Sequence, residues 1–332
     1  RPQRARIMSD VAAQPGRAEN YTRGLILVAG AGMFWSLGGL FFRLVDDATV
    51  WQIVAWRTFF LASSMTLFIA WRYGRGMLAV FRSVLSPWGI VAAVGTATAN
   101  TLFMWSLEYT YVANTVLMLA AAPVISAVLS WFLLRESVRP ATMLAMAGVI
   151  LGVLVMLSGG LGLSVDFSNG FDISFGERGG DKPDQWIGDI LAVFVVIGFA
   201  FIVVAVRAGR SVEMMPCIVL GAALACVVTS AISFVDGIGL AVSGNDLFWC
   251  AMMGMVQMTF GMALFVAGAK YVPAGELALL SLTEVIFAPI WVWALLSEVP
   301  VEATFWGGAI VFTAIAFNAM TGMRRKHPLP QA

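Results

Sequence analysis

The sequence predicts an all-α integral membrane protein: ten transmembrane helices in two inverted five-helix repeats, with both termini on the cytoplasmic side. Three observations carry that expectation. Hydrophobic residues make up 60% of the 332 and charged ones only 12%, with a mean hydropathy of +0.87. A soluble domain is nearer half apolar and a quarter charged. Second, the chain divides into apolar segments, several at the roughly 20 residues that a spanning helix needs. Third, the second half repeats the first. A shift of 162 positions lays Leu102–Thr142 over Leu264–Thr304 without a gap. Tyr109 then falls on Tyr271, Trp131 on Trp293 and Glu136 on Glu298, with Leu102-Phe103 on Leu264-Phe265. Aliphatic matches are cheap in so apolar a chain, but Tyr, Trp and Glu in one register are not, and they mark one unit present twice.

Residues 1–23 are polar and rich in arginine, without the short apolar core of a signal peptide, and are expected to form a cytoplasmic tail. The first repeat, residues 24–159, holds the segments Gly24–Leu44, Val50–Trp71, Trp88–Leu107, Ala113–Leu134 and Ala141–Gly159. The second, residues 186–323, holds Trp186–Val206, Met215–Val235, Leu247–Ala267, Ala274–Leu296 and Phe305–Met323, and residues 324–332 form a second cytoplasmic tail. Between the repeats, residues 160–185 form an acidic extracytoplasmic linker. The alternation in LSVDF and FDISF around Asn169-Gly170 is a hairpin signal, but a disordered linker ranks slightly ahead.

Orientation follows from the loops. With the N-terminus inside, the inner loops hold Arg72, Arg75, Arg82, Arg135, Arg139, Arg207, Arg210 and Lys270, and the outer loops hold most of the acids. Five helices per repeat force the second copy to enter from the opposite face. Its charges agree: Arg135 to Arg139 surround Glu136, whereas the matched stretch from Ser297 to Glu302 has no base. Inverted repeats of this sort place a solute site near the midplane, between the halves.

Several function classes have no materials. Cys217, Cys226 and Cys250 lie inside apolar runs, and the single histidine, His327, sits in the C-terminal tail. There is no metal-ligand spacing, no disulfide framework and no intramembrane base for a nucleophile. No catalytic residue, metal or cofactor is expected. The expected partners are the lipid bilayer, a small-molecule solute and, as a candidate, protons; the dispersed basic residues give no nucleic-acid surface, and the sequence sets no oligomeric state.

Polar groups at membrane depth are expensive and by default functional. Asn100, Gln257 and Glu284 each lie about ten residues into a segment, near the midplane of a core roughly 30 Å thick. Glu284 is costly there when charged, which makes it a candidate proton carrier or solute ligand; the alternative is a structural glutamate beside a helix break or paired with Arg57. Asn100 with Thr101, and Gln257 with Thr259, either line a path or bond helix to helix. Trp35 followed by Ser36 is a candidate cavity wall, with packing as the alternative. Arg57 lies roughly 10 Å deep at 1.5 Å per residue. It either clamps a solute carboxylate or has a structural role, capping carbonyls or pairing with Asp46 or Asp47. The structural role ranks first, because so long a side chain can snorkel. Pro123 and Pro289, in matched helices, each remove a backbone hydrogen bond and are expected to kink them.

Ten helices in two inverted fives resemble the EamA-type family of the drug/metabolite transporter superfamily across residues 24–323. The pieces that carry the resemblance are Arg57 in AWRTFFLA, LFMWSLEYT echoed by LFVAGAKYV, AAAPVISAVLSWFLLRES with its counterpart LTEVIFAPIWVWALLSE, and IGDILAV in the sixth segment. One departure stands out: where the family often has Glu-Pro, this chain has Glu284-Val285, with the proline displaced to Pro289. The resemblance implies a transporter, often an exporter of amino acids or related metabolites, and the leading reading is a bacterial inner-membrane transporter working by alternating access. Proton-coupled efflux of cationic or hydrophobic drugs is the second reading, and an intramembrane enzyme a remote one.

Overall fold

Helices form wherever the apolar segments run, and they break where small or polar residues interrupt them. The computed structural model describes residues 15–119, 121–134, 140–161, 163–166, 172–175, 184–208, 214–269, 271, 274–300 and 302–323. The first segment is two helices, α1 (Pro15–Trp35) and α2 (Gly38–Arg43). α1 therefore starts well ahead of the apolar run, inside the stretch read from sequence as a tail. The chain then builds α3 (Val50–Tyr73), α4 (Met77–Arg82), α5 (Pro87–Tyr109), α6 (Val112–Leu119), α7 (Ala122–Leu134) and α8 (Pro140–Leu161). The second half runs α9 (Gln185–Ala208), α10 (Met214–Val235), α11 (Gly244–Ala251), a π-helical stretch (Met252–Phe260), α12 (Gly261–Ala269), α13 (Ala274–Leu296) and α14 (Glu302–Met323).

The boundaries have local causes. α3 opens with a capping box in which Thr49 and Gln52 satisfy each other's backbone N–H, and it ends at Gly74, whose φ of 50° suits glycine. Ser86 accepts from the N–H of Gly89 ahead of Pro87 at the start of α5, and Ser243 caps α11 through Asp246 N at 3.0 Å.

Among the described residues, six stretches are long and apolar enough to cross a membrane: Thr22–Arg43, Val50–Arg82, Pro87–Tyr109, Gln185–Ile202, Met215–Val235 and Gly244–Gly268. Met143–Ser158 and Thr283–Leu296 are shorter apolar helices. The molecule is correspondingly inside out. Leu67, Trp71, Phe132 and Val235 face outward, the last 86% exposed, whereas Arg57, Asn100, Asn114, Asp189 and Gln257 are buried. A surface so apolar is a surface for lipid.

The broadest helix contacts run between the halves, and exchanging the halves maps one contact onto another. The first segment packs on the eighth (α1 on α12) as the sixth packs on the third (α9 on α5). First on ninth (α1 on α13) corresponds to sixth on fourth (α9 on α6 and α7). Second on seventh (α3 on α10) and fifth on tenth (α8 on α14) are their own counterparts. The last pair approaches closely through glycine: a β-carbon on Gly152 would stand 2.7 Å from Gly307 O. The core runs through both halves, with Val54, Met104, Leu107, Val112, Met118, Val195, Met253 and Val311 in one cluster.

In the linker, β1 (Leu163–Asp166) pairs antiparallel with β2 (Asp172–Phe175), in the register Leu163 to Phe175 and Asp166 to Asp172. A wholly disordered linker, the reading ranked ahead from sequence, is thereby corrected: alternation about Asn169-Gly170 was the better guide. Residues 167–171, the turn included, and the tail 324–332 lie outside the described residues.

Candidate functional site

The break between α1 and α2 exposes backbone to the interior. Ser36 Oγ donates to Met33 O at 2.6 Å and Leu37 N reaches only Phe34 O, a tighter turn than an α-helix. Trp35 O is left to a side chain, and Gln257 Nε2 donates to it at 3.1 Å. Gln257 sits in the π-helical stretch, whose wide turn is marked by Thr259 Oγ1 donating to Gly254 O, five residues back, at 3.1 Å. Such bulges cluster at functional sites. Trp291 Nε1 donates to Ser36 Oγ at 3.0 Å. The first, eighth and ninth segments thus meet at Trp35, Ser36, Gln257 and Trp291, with Gln257 Oε1 buried and without a donor among the described residues. The Trp35 ring packs on Phe265, centroids 5.4 Å apart, which is the packing role held open for it.

Arg57 is the clearest departure from the sequence reading. It is 2% exposed and does not snorkel. Nor does it pair with Asp46, whose carboxylate takes Asn245 Nδ2 at 2.8 Å, or with Asp47. Arg57 Nη1 instead donates to Asn100 Oδ1 at 2.9 Å, and Asn100 Nδ2 donates to Thr96 O at 2.9 Å. Thr101 bonds back to Ala97 O, and Thr259 shares a 2.7 Å hydrogen bond with Ser64, so both hydroxyls are committed locally or helix to helix. Glu284 lies in α13, half-buried, with no hydrogen bond or ion pair among the described residues.

The two prolines differ in setting. Pro289 lies inside α13, which is continuous through it. Pro123 is the second residue of α7, just past the break that follows α6, and in a first turn its missing N–H costs nothing. The expected kink in the fourth segment is therefore a break ahead of the proline.

A polar cluster that was not among the candidate site residues joins both halves of the bundle. Arg43 Nε donates to Glu298 Oε2 at 2.7 Å and Arg43 Nη2 to Thr110 O at 2.7 Å, while Glu298 Oε1 accepts from Val112 N at 2.8 Å. Thr110 Oγ1 and Asn114 Nδ2 donate to Asp189 Oδ1 at 2.6 and 2.9 Å, Gln185 Nε2 reaches Asp189 Oδ2, and Asn114 Oδ1 accepts from Thr304. Gly188 makes this possible: a β-carbon there would stand 2.7 Å from Thr110 N. The sequence did hold a signal, Asp189 within IGDILAV, but nothing in one segment names its partners in others.

Comparison with known proteins agrees with this architecture. The EamA-like transporter family model matches twice, at residues 22–158 and 186–320. The human solute carrier family 35 member G1 is 24% identical over 322 residues, covering 91% of this chain and 79% of that protein. The uncharacterized transporter sll1164 of Synechocystis is 24% identical over 246 residues, 71% of this chain; the match spans 65% of that protein, just under two thirds. One crystal structure superposes with a TM-score of 0.58 at 19% identity, covering 91% of this chain and 98% of its own, a likeness of fold. With both halves matched, an inside-out helical bundle and contacts that survive exchange of the halves, the chain belongs to the EamA-like transporter family of membrane transporters.

Proposed function

We propose that this transporter moves a small neutral, zwitterionic or aromatic metabolite, an amino acid or a close relative, out of a bacterial cell by alternating access. The reading has ten crossings, both termini in the cytoplasm and the cargo held between the halves. One observation carries most weight: the broad contacts join the halves, and the helix irregularities at Ser36 and Met252–Phe260 meet where those halves join. Irregular backbone at membrane depth is tolerated where it is buried in protein or lines a cavity. The ion pair of Arg43 and Glu298 ties the first segment to the ninth, and in this reading it shuts one end of the path.

Counterflow in proteoliposomes tests it. Purified protein preloaded with a panel of amino acids, nucleosides and organic cations is offered one labelled tracer at a time. Exchange of aliphatic or aromatic amino acids is expected; exchange of organic cations alone overturns the metabolite reading.

Glu284 favours a second reading, proton-coupled efflux of cationic or hydrophobic drugs, because it is half-buried without a partner among the described residues. There Glu284→Gln abolishes uphill efflux driven by a pH gradient. Uphill transport that survives the substitution excludes that role.

A further inference from the structure

Arg57 is a buried cation with no counter-ion among the described residues. It is 2% exposed, its Nε has no acceptor among the described residues, and its partner, Asn100, is neutral. Among the described residues it forms no ion pair. Buried charges are ordinarily paired, because taking one out of water costs several kcal/mol that a single neutral hydrogen bond does not return. Three carboxylates toward this end of the bundle are engaged elsewhere. Glu298 holds Arg43, Asp189 takes Thr110, Asn114 and Gln185, and Asp46 takes Asn245. Asp246, on the eighth segment that packs against Arg57, accepts Asp46 N through Oδ1 and leaves Oδ2 unbonded among the described residues. Gly254 of the same segment sits against Arg57 O, where a β-carbon would come within 2.6 Å.

Asn100 fixes the guanidinium rather than neutralising it. Its amide nitrogen is spent on Thr96 O, so its oxygen faces Arg57, and one edge of the planar fork is held while Nε stays free. A planar fork with free donors suits a carboxylate better than any other small anion, since two parallel N–H bonds match two oxygens. We propose that Arg57, oriented by Asn100, binds the carboxylate of the transported solute. This rests on the transport reading above and narrows it: the cargo carries a carboxylate, and a lone organic cation is not carried. In the conformation described here Arg57 is covered, so the solute reaches it only when the halves part.

Two measurements on the full chain test this together. The first is thermal stability of the purified protein in detergent with sodium 3-phenylpropionate, phenylalanine, phenylalaninamide, phenethylamine or chloride as probes. The second is counterflow of the same organic probes in proteoliposomes. The two carboxylates are expected to raise the melting temperature, while the amide, the amine and chloride do not. Arg57→Gln is expected to erase that shift and lower carboxylate exchange at least tenfold, and Arg57→Lys to restore part of both. Asn100→Asp supplies an internal counter-ion. It should raise the melting temperature of the empty protein while abolishing the carboxylate shift, which a merely structural Arg57 would not do. Carboxylate shifts that persist in Arg57→Gln, or an equal response to phenylalaninamide, overturn the site. So does rescue of Arg57→Gln by Asp246→Asn, which would make Asp246 the true counter-ion. A carboxylate-specific shift without flux of any probe would count against the transport reading and leave the site standing.

Discussion

Asp189 shows at the scale of single residues how this bundle pays for polarity. The carboxylate is fully buried, yet Thr110, Asn114 and Gln185 all donate to it, and Asn114 in turn accepts from Thr304. Asn114→Leu removes a donor from the carboxylate and an acceptor from Thr304. A hydrogen bond to a charged group is worth about 1.5–3 kcal/mol, so the variant should lose roughly 2–3 kcal/mol of stability, read as a lower melting temperature in detergent. Asp189→Asn should be close to neutral. Its amide nitrogen can donate to Gln185 Oε1, which has no donor among the described residues, while its oxygen keeps Thr110 and Asn114. A large loss in Asp189→Asn would mean that the charge itself is needed. Arg57 is the opposite case at the same scale, a buried charge that the chain leaves half satisfied.

The elements store their cost at their ends. α13 terminates with Ser297 N donating to Trp293 O, the five-to-one bond of a left-handed helix stop, and with Glu298 N donating to Val292 O, six residues back. The residue in the left-handed position is Ser297, at φ 56° and the sole non-glycine with positive φ among the described residues. Left-handed backbone costs an L-residue about 1–2 kcal/mol, and glycine would return part of that to its greater freedom when unfolded. Ser297→Gly should therefore stabilise the protein by about 0.5–1 kcal/mol. It would also loosen the residue that aims Glu298 at Arg43, so counterflow kinetics should change while melting improves. A variant that melts lower shows that the hydroxyl matters more than the backbone. The π-helical stretch works on the same principle, since a wide turn turns Gln257 toward Trp35 O.

For the molecule as a whole, alternating access requires that contacts between the halves be made and broken. Arg43 and Glu298 are the described ion pair that spans them, with 17% and 12% side-chain exposure. Both ends are also tied to the fourth segment's start, through Thr110 O and Val112 N. If the pair is one closing device, its loss should be paid once. Arg43→Gln and Glu298→Gln should each alter the counterflow rate by a similar factor, and the double variant should be no worse than either. The coupling in a double-mutant cycle should reach about 1 kcal/mol. Strict additivity would show two residues acting separately.

The sequence by itself determined the class of molecule. Apolar segments long enough to span, the 162-residue echo carrying Tyr109, Trp131 and Glu136, and the motifs around Arg57 and Glu284 pointed to the family that the comparisons identify. It also singled out Arg57, Asn100 and Gln257, because a polar residue in an apolar run is visible in one dimension. Hydropathy and periodicity are local properties, read within one segment. Only the tertiary structure decided who meets whom: Arg43 with Glu298 across 255 residues, Asn114 with Asp189, and Arg57 with Asn100 in place of Asp46. It also decided that the first segment breaks at Ser36 and that the eighth widens around Gln257. Those outcomes depend on which helices pack together and on the glycines that let them approach, and a pairing set by packing between distant segments leaves no mark in either segment alone.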